Sequence, residues 1–423
     1  MYISIPKAHV FNPVEAHWLC QLALGMTLAM AWPDVAQADG TVFEELSFLE
    51  NPAAGWSQEP FLTADKHSLL MSWMTVEGPE TLIQFARLNE SGWSDPVTVT
   101  RGDDLFVNWA DFPSVAAYNE SNVALHWLRK TGPSSFDYNV ELSISSDGGL
   151  NWSVPIVPHS DRSSSQHGFL TMSGSPDGAL DLLWLDGRAY GKGSLQASPD
   201  AMQLRATRIS TDGTLLLDRP VDMQTCSCCQ TSSARLGDGT LVVAYRDRTD
   251  TEIRDISVAR LSSGEWSEPV SVHDDGWELA GCPVNGPAIA AQDDSVAVAW
   301  FTGASDVAAV KLAFSYDGGL SFEEPFRIDL GDPLGRVDAL FLADGSVLVS
   351  WLEWQGNDEV LFACRATADK GCVSRQELFR NATAGSMNFP RMARIGQNVF
   401  FAWTQPKNAT HSSISLMRGD IRP

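Results

Sequence analysis

The segment Thr225-Cys226-Ser227-Cys228-Cys229-Gln230 holds three of the chain's seven cysteines. A fourth, Cys282, follows in Ala280-Gly281-Cys282-Pro283-Val284-Asn285-Gly286-Pro287. Thiolates select soft cations, so these sulfurs could hold copper as Cu(I), with the imidazole of His167 as a borderline ligand. Zinc suits the spacing less, because its sites show paired cysteine doublets. Two other chemistries stay open. The four cysteines could form two disulfides, for example Cys282 with one member of the run. Cys228 and Cys229 themselves point in different directions along an extended chain, so a bond between them would be strained. The third reading is a redox-active thiol pair. Cys364 and Cys372 lie eight residues apart and are expected to bridge across a hairpin.

The compartment decides which of these chemistries is available. Residues 1–38 read as a secretory signal peptide: a weakly basic start, an apolar run over 18–32, and Ala36-Gln37-Ala38 before Asp39. That run is too short to span a bilayer, and Cys20 would leave with it. Export makes the protein periplasmic or secreted, where disulfides persist. The net charge of −24 disfavours nucleic acid and anionic membranes as partners. A metal ion, a small molecule or a sugar ligand remains open, and the chain is expected to act as a monomer without membrane insertion after signal removal.

The positioning elements are read from a repeat. Aromatic residues end β-patterned runs at Trp73, Trp127, Trp184, Tyr245, Trp300, Trp351 and Trp403, spaced 51 to 61 residues apart. A short apolar run and a turn such as Asp177-Gly178 or Asp238-Gly239 precede them, and further short strands follow. Four strands per unit of this length predict an all-β, seven-bladed β-propeller over 39–423. The last unit lacks an outer strand, which residues 41–48 would supply, closing the ring and removing an open edge.

Two segments carry a resemblance. Ser145-Ser146-Asp147-Gly148-Gly149-Leu150-Asn151-Trp152 and Ser315-Tyr316-Asp317-Gly318-Gly319-Leu320-Ser321-Phe322 fit S-x-D-x-G-x-x-W, with Phe for Trp in the second. Eroded versions stand at Gly92-Trp93 and Gly264-Glu265-Trp266. The chain thus resembles the BNR/Asp-box proteins of the sialidase-like superfamily over nearly its whole exported length. That likeness implies boxes on turns between the third and fourth strands, so Asp147 and Asp317 are structural. The segments around Asn108–Pro113, the cysteine run, Tyr245-Arg246-Asp247-Arg248 and Cys282 are also similar to a group of exported bacterial Asp-box proteins with a C-x-C-C segment. The similarity marks them as one constellation and implies no particular reaction.

Alternating strand directions put the boxes on one face and the blade-to-blade lead-ins on the other. Aligned on the repeated aromatics, the lead-ins bring Asp111, His167, Cys226, Cys228, Cys229, Cys282, Asn285, Arg336, Asp338 and Arg391 to a central funnel, about fifteen residues upstream of each aromatic. Arg246 and Asp247 join from a polar loop. The leading expectation is a soft-metal site of Cys226, Cys228, Cys229 and Cys282 with His167. The rival is an exo-sialidase-like glycoside hydrolase, in which Asp111 or Asp338 is acid/base and Arg246, Arg336 and Arg391 clamp a carboxylate. A sialidase would also need a tyrosine nucleophile. Tyr245 sits at a packing position, Tyr190 in a loop, and the family's early Arg-Ile-Pro is absent. A non-catalytic, fully bridged interaction scaffold is the third alternative.

Overall fold

The computed structural model describes residues 40–119, 121–189, 202–408 and 410–422. The expected signal peptide, Cys20 and Tyr190 lie outside the described residues. Among the described residues, seven antiparallel sheets follow one another. In blade four the strands are Ser232–Arg235, Leu241–Arg246 and Ile256–Ser262, with Glu265–Trp266 and Val270–His273 at the outer edge. Among the described residues blade two has the strands Val115–Ala117, Val123–Lys130 and Tyr138–Ser145, and an Ile156–Leu142 bridge stands where a fourth strand would run.

Alternation turns the two faces of each strand to the two flanking blades, so the second strands are buried on both. Seven apolar clusters result among the described residues; six are each shared by two neighbouring blades, and the cluster of blades three and four also takes in Ala110 and Phe112 from the lead-in of blade two and Phe389 from that of blade seven. One of them joins Leu69, Met71 and Trp73 of the first blade to Phe400, Ala402 and Leu416 of the seventh, so the ring has no open side. Phe43–Leu49 pairs antiparallel with Ser412–Ile421 as the outer strand of the seventh blade.

The repeated aromatics are all buried. Each tryptophan Nε1–H finds an acceptor: Glu141 for Trp127, Asp186 for Trp184, Asp275 for Trp300 and Glu353 for Trp351. A buried indole keeps its hydrophobic contribution only when that donor is satisfied. Tyr245 follows the same rule, donating to Asp222 at 2.5 Å.

The two Ser-x-Asp turns have matching geometry. Ser145 Oγ accepts from Gly149 N at 2.7 Å and donates to Asp147 Oδ1 at 2.8 Å. Ser315 Oγ does the same with Gly319 N and Asp317 Oδ1, at 2.9 and 2.8 Å. Trp152 then packs edge-on against Phe85 of the preceding blade at 5.4 Å.

Candidate functional site

The lead-ins to the innermost strands meet at the ring centre with an unusual backbone. Glu59, Phe169, Val284, Arg336 and Asn388 all have left-handed φ, between 49° and 60°. They occupy equivalent places in blades one, three, five, six and seven. In three of these blades the residue falls within a register shift of the first strand. Non-glycine residues in this region are strained and persist only where surroundings hold them. Here side chains from neighbouring lead-ins do so: Asp111 Oδ2 accepts from Phe169 N at 2.8 Å, and Asn285 Oδ1 from Arg336 N at 2.8 Å. Asn388 Nδ2 donates to Glu59 Oε1 at 2.7 Å, and Met392 N to Asp338 Oδ2 at 2.7 Å. The approach is close enough that a Cβ on Gly168 would lie 2.2 Å from Asp111 Oδ2.

Burial pushes Asp111 up to about 7 against the Phe169 hydrogen bond. It pushes Glu59 up to about 8 despite Asn388 and the Arg336 charge. Asp338 is raised by burial too, opposed by Arg391, whose Nη2 is 3.4 Å from its Oδ1. Asp111, Asp338 and Arg391 line one inner cavity of about 230 Å³.

The cysteines sit together one step around the ring. Cys228 and Cys282 form a disulfide that ties the lead-in of blade four to that of blade five. Cys226 and Cys229 are unbonded and buried, with their Sγ atoms 2.6 Å apart. Cys226 Sγ is also 4.0 Å from Cys228 Sγ. Burial works against ionising Cys226, but Cys229, the Cys228 backbone N–H and the charges of Arg254 and Arg246 bring its thiol down to about 6. Burial and the neighbouring Cys226 raise Cys229 well above an ordinary thiol. Cys364 and Cys372 bridge strands three and four of blade six.

The five-ligand metal set is not assembled. Two of its four sulfurs are bonded to each other, and His167 is not grouped with the thiols. Gln166 reaches Ser227 O beside the cysteines, at 2.8 Å. Successive side chains of a strand point to opposite faces, so His167 turns away. Its Nε2 lies 3.1 Å from Asp161 and 3.7 Å from Asp186, and its ring stacks on His159 at 3.8 Å. Burial lowers its pKa.

Arg246 is a brace. Only 2% exposed, it donates to the carbonyls of Asn285 and Phe301 at 2.8 and 2.6 Å and to that of Arg254, under the Trp277 ring. Asp247 is pushed up to about 6 by burial and by Asp222, and accepts from Ser257 at 2.9 Å. Arg336 lies over the rings of Trp109 and Phe389 at 4.8 and 5.5 Å. Beyond these stands a group no lead-in alignment singles out. Glu252 takes Arg248 on one oxygen at 2.6 Å and Arg254 on the other at 2.5 Å. Burial would raise Glu252, but the two guanidinium groups hold it below its ordinary range. Neither Nη1 of this pair makes a hydrogen bond among the described residues.

Arg248 and Arg254 form part of the wall of a second cavity, of about 790 Å³. Trp109, Phe136, Cys228 and Cys282 complete much of it, so blades two, four and five all contribute. Its rim is aromatic: Trp109 and Phe136 are 41% and 44% exposed. Small-molecule sites usually occupy about 300–1,000 Å³, which this cavity meets and the inner one does not.

No protein-family model matches the chain, and no curated protein matches it in sequence. Solved structures do resemble it. A polysaccharide lyase, the ulvan lyase of family PL25, shares the fold at TM-score 0.58 and 10% identity, covering 88% of this chain and 95% of its own. The phage phi92 endosialidase aligns at TM-score 0.50 and 10% identity, covering 90% and 70%. A protein of unknown function from Dyadobacter fermentans aligns at 0.50 and 16% identity, covering 74% and 94%. What these structures share with the chain is the fold, a β-propeller.

Two tyrosines of this propeller, Tyr245 and Tyr138, are poorly disposed as nucleophiles. Tyr245 is fully buried in its bond to Asp222. Tyr138 borders the large cavity, stacked on Phe106 at 4.2 Å. Burial and the Asp111 charge raise its hydroxyl well above the ordinary value, away from the phenolate a nucleophile needs. The rival's residues divide likewise: Asp111, Asp338 and Arg391 share the small inner cavity, while Arg246 is enclosed between blades four and five.

Proposed function

We propose that the 790 Å³ cavity of this sialidase-like propeller binds an anionic saccharide, with Arg248 and Arg254 taking its carboxylate and Trp109 the face of a sugar ring. One observation carries the reading: two guanidinium groups share a single carboxylate on the wall of a ligand-sized cavity, leaving a positive edge in an otherwise acidic protein. Arginine suits that role because its planar fork matches a carboxylate. Apolar ring faces beside a few placed polar groups are the usual composition of such sites. The PL25 lyase, whose fold is shared, has been solved bound to a glucuronate–rhamnose-3-sulfate unit. The two disulfides support action in an oxidising compartment outside the cytoplasm. Among the described residues no helix is long and apolar enough to cross a membrane.

Calorimetric titration with glucuronate-bearing oligosaccharides tests this. Binding should weaken about tenfold or more in Arg248→Ala, and with added salt. Equal binding of a neutral oligosaccharide, or none of either, would contradict it.

A second reading is favoured by the two buried, unbonded thiols: Cu(I) held between Cys226 and Cys229. At metal–sulfur distances of about 2.3 Å the thiols would have to part to roughly 4 Å. Titration of Cu(I) against a competing chelator, in wild type and in Cys229→Ser, decides it. Equal affinity in both proteins would exclude this pair.

A further inference from the structure

The buried thiols have a neighbour that neither reading uses. Cys226 Sγ stands 2.6 Å from the free Cys229 and 4.0 Å from Cys228, which is already bonded to Cys282. Thiol–disulfide exchange needs a free thiol close to a bonded sulfur, and proceeds through a mixed disulfide. The chain supplies both within one lead-in and its neighbour. Cys228 and Cys282 line the large cavity, whereas Cys226 and Cys229 are buried beneath it.

We infer that Cys226, Cys228, Cys229 and Cys282 form one thiol–disulfide exchange unit, which moves a disulfide between the cavity wall and the buried pair. In the first step the Cys226 thiolate attacks Cys228 Sγ. The Cys226–Cys228 bond forms, Cys228–Cys282 breaks, and Cys282 leaves as a thiolate that takes up the proton Cys226 gave away. In the second step Cys229 attacks Cys226 Sγ, Cys226–Cys229 forms, and Cys228 leaves with the proton of Cys229. One disulfide and two thiols stand on each side, so no outside oxidant or reductant enters. What changes is position: the dithiol passes from the interior to the wall of the cavity, where a disulfide-bearing or thiol-reactive ligand meets it.

The packing supports a persistent relay geometry. Cys226 N donates to Arg246 O at 3.0 Å, and Arg246 is itself held by the carbonyls of two further segments. Gln230, directly after the run, is fixed at both ends, to Ala110 O at 2.6 Å and Gly286 N at 3.1 Å. The unit shares that cavity wall with the proposed saccharide site, but its test reads which cysteines are bonded and does not depend on saccharide binding through Arg248 and Trp109.

Native alkylation of the whole, metal-free protein tests it. Folded protein is treated with iodoacetamide, quenched in acid and mapped as peptides without reduction. The expected result is label on Cys282 and Cys228, together with a Cys226–Cys229 bridge, while Cys364–Cys372 stays unlabelled as an internal control. In Cys229→Ser the exchange halts at Cys226–Cys228, with label on Cys282 alone. In Cys226→Ser, labelling of Cys282 falls about tenfold or more. Label confined to Cys226 and Cys229, no label in the folded protein, or Cys228–Cys282 as the sole bridge of this group would overturn the proposal. The wild type alone decides the matter, so a variant that fails to fold does not void it.

Discussion

The two faces of this propeller treat a repeat in opposite ways. On the turn face, Ser145–Asp147 and Ser315–Asp317 make the same bonds to within 0.2 Å, with the same left-handed glycines. On the lead-in face, equivalent places hold Glu59, Phe169, Val284, Arg336 and Asn388, which share a backbone conformation and little chemistry. A turn closed by its own side chain needs a particular sequence. A lead-in held by the next blade needs only some acceptor across the gap, here Asp111, Asn285 or Asp338. Chemical variety therefore collects on the face where neighbours supply the support.

The largest effect should come from removing a brace on the lead-in face. Arg246→Ala leaves three carbonyls without their donor in the interior and is expected to cost about 3 kcal/mol or more. Urea unfolding measures it, and a loss near zero would deny the brace. Ser145→Ala and Ser315→Ala each strand one glycine N–H, and each should cost about 1–2 kcal/mol. The two losses should agree and leave saccharide affinity unchanged. Unequal losses would break the equivalence of the two turns.

Titration sharpens the same contrast. Folded Glu59 and Asp111 have pKa values of about 8 and about 7, above their ordinary values of 4.5 and 3.8. The folded state then holds more protons than the unfolded chain, so stability from these groups declines as pH rises from the unfolded pKa values to about 8. Asp147 and Asp317, held down to about 2 by their turns, act in the other sense. Their contribution is full above the ordinary carboxylate pKa and fades as pH falls toward 2. Melting curves from pH 3 to 9 should show both flanks, and Glu59→Gln should flatten only the alkaline one. Trp109→Ala should change stability least, since the ring is 41% exposed, while weakening saccharide binding.

The architecture was legible because a buried aromatic within the second strand of each blade recurs at a nearly constant interval, and because the Asp turns spell out their own hydrogen bonds. The aromatics also fixed the lead-in register: Asp111, Asn285 and Asp338 do stand at the ring. Side-chain direction was not legible. Gln166 and His167 are adjacent, and the parity of a strand that begins in a loop decides which one meets the cysteines. The bonding of Cys228 to Cys282 was one of several open pairings, since spacing alone does not choose among them. Trp109 and Phe136 gave no signal as rim residues, because exposure depends on what the other blades leave uncovered. Arg248 was legible within the Tyr245–Arg248 segment, but its convergence with Arg254 on Glu252 depends on the fold of the loop, in which Glu252 has a left-handed backbone with φ 64°.

A crystal structure of the protein soaked with a glucuronate-bearing disaccharide tests the account most directly. It predicts density for the sugar ring against Trp109, with its carboxylate on Nη1 of Arg248 and Arg254. Density confined to the inner cavity of Asp111, Asp338 and Arg391, or a 790 Å³ cavity holding only solvent at saturating ligand, would contradict it.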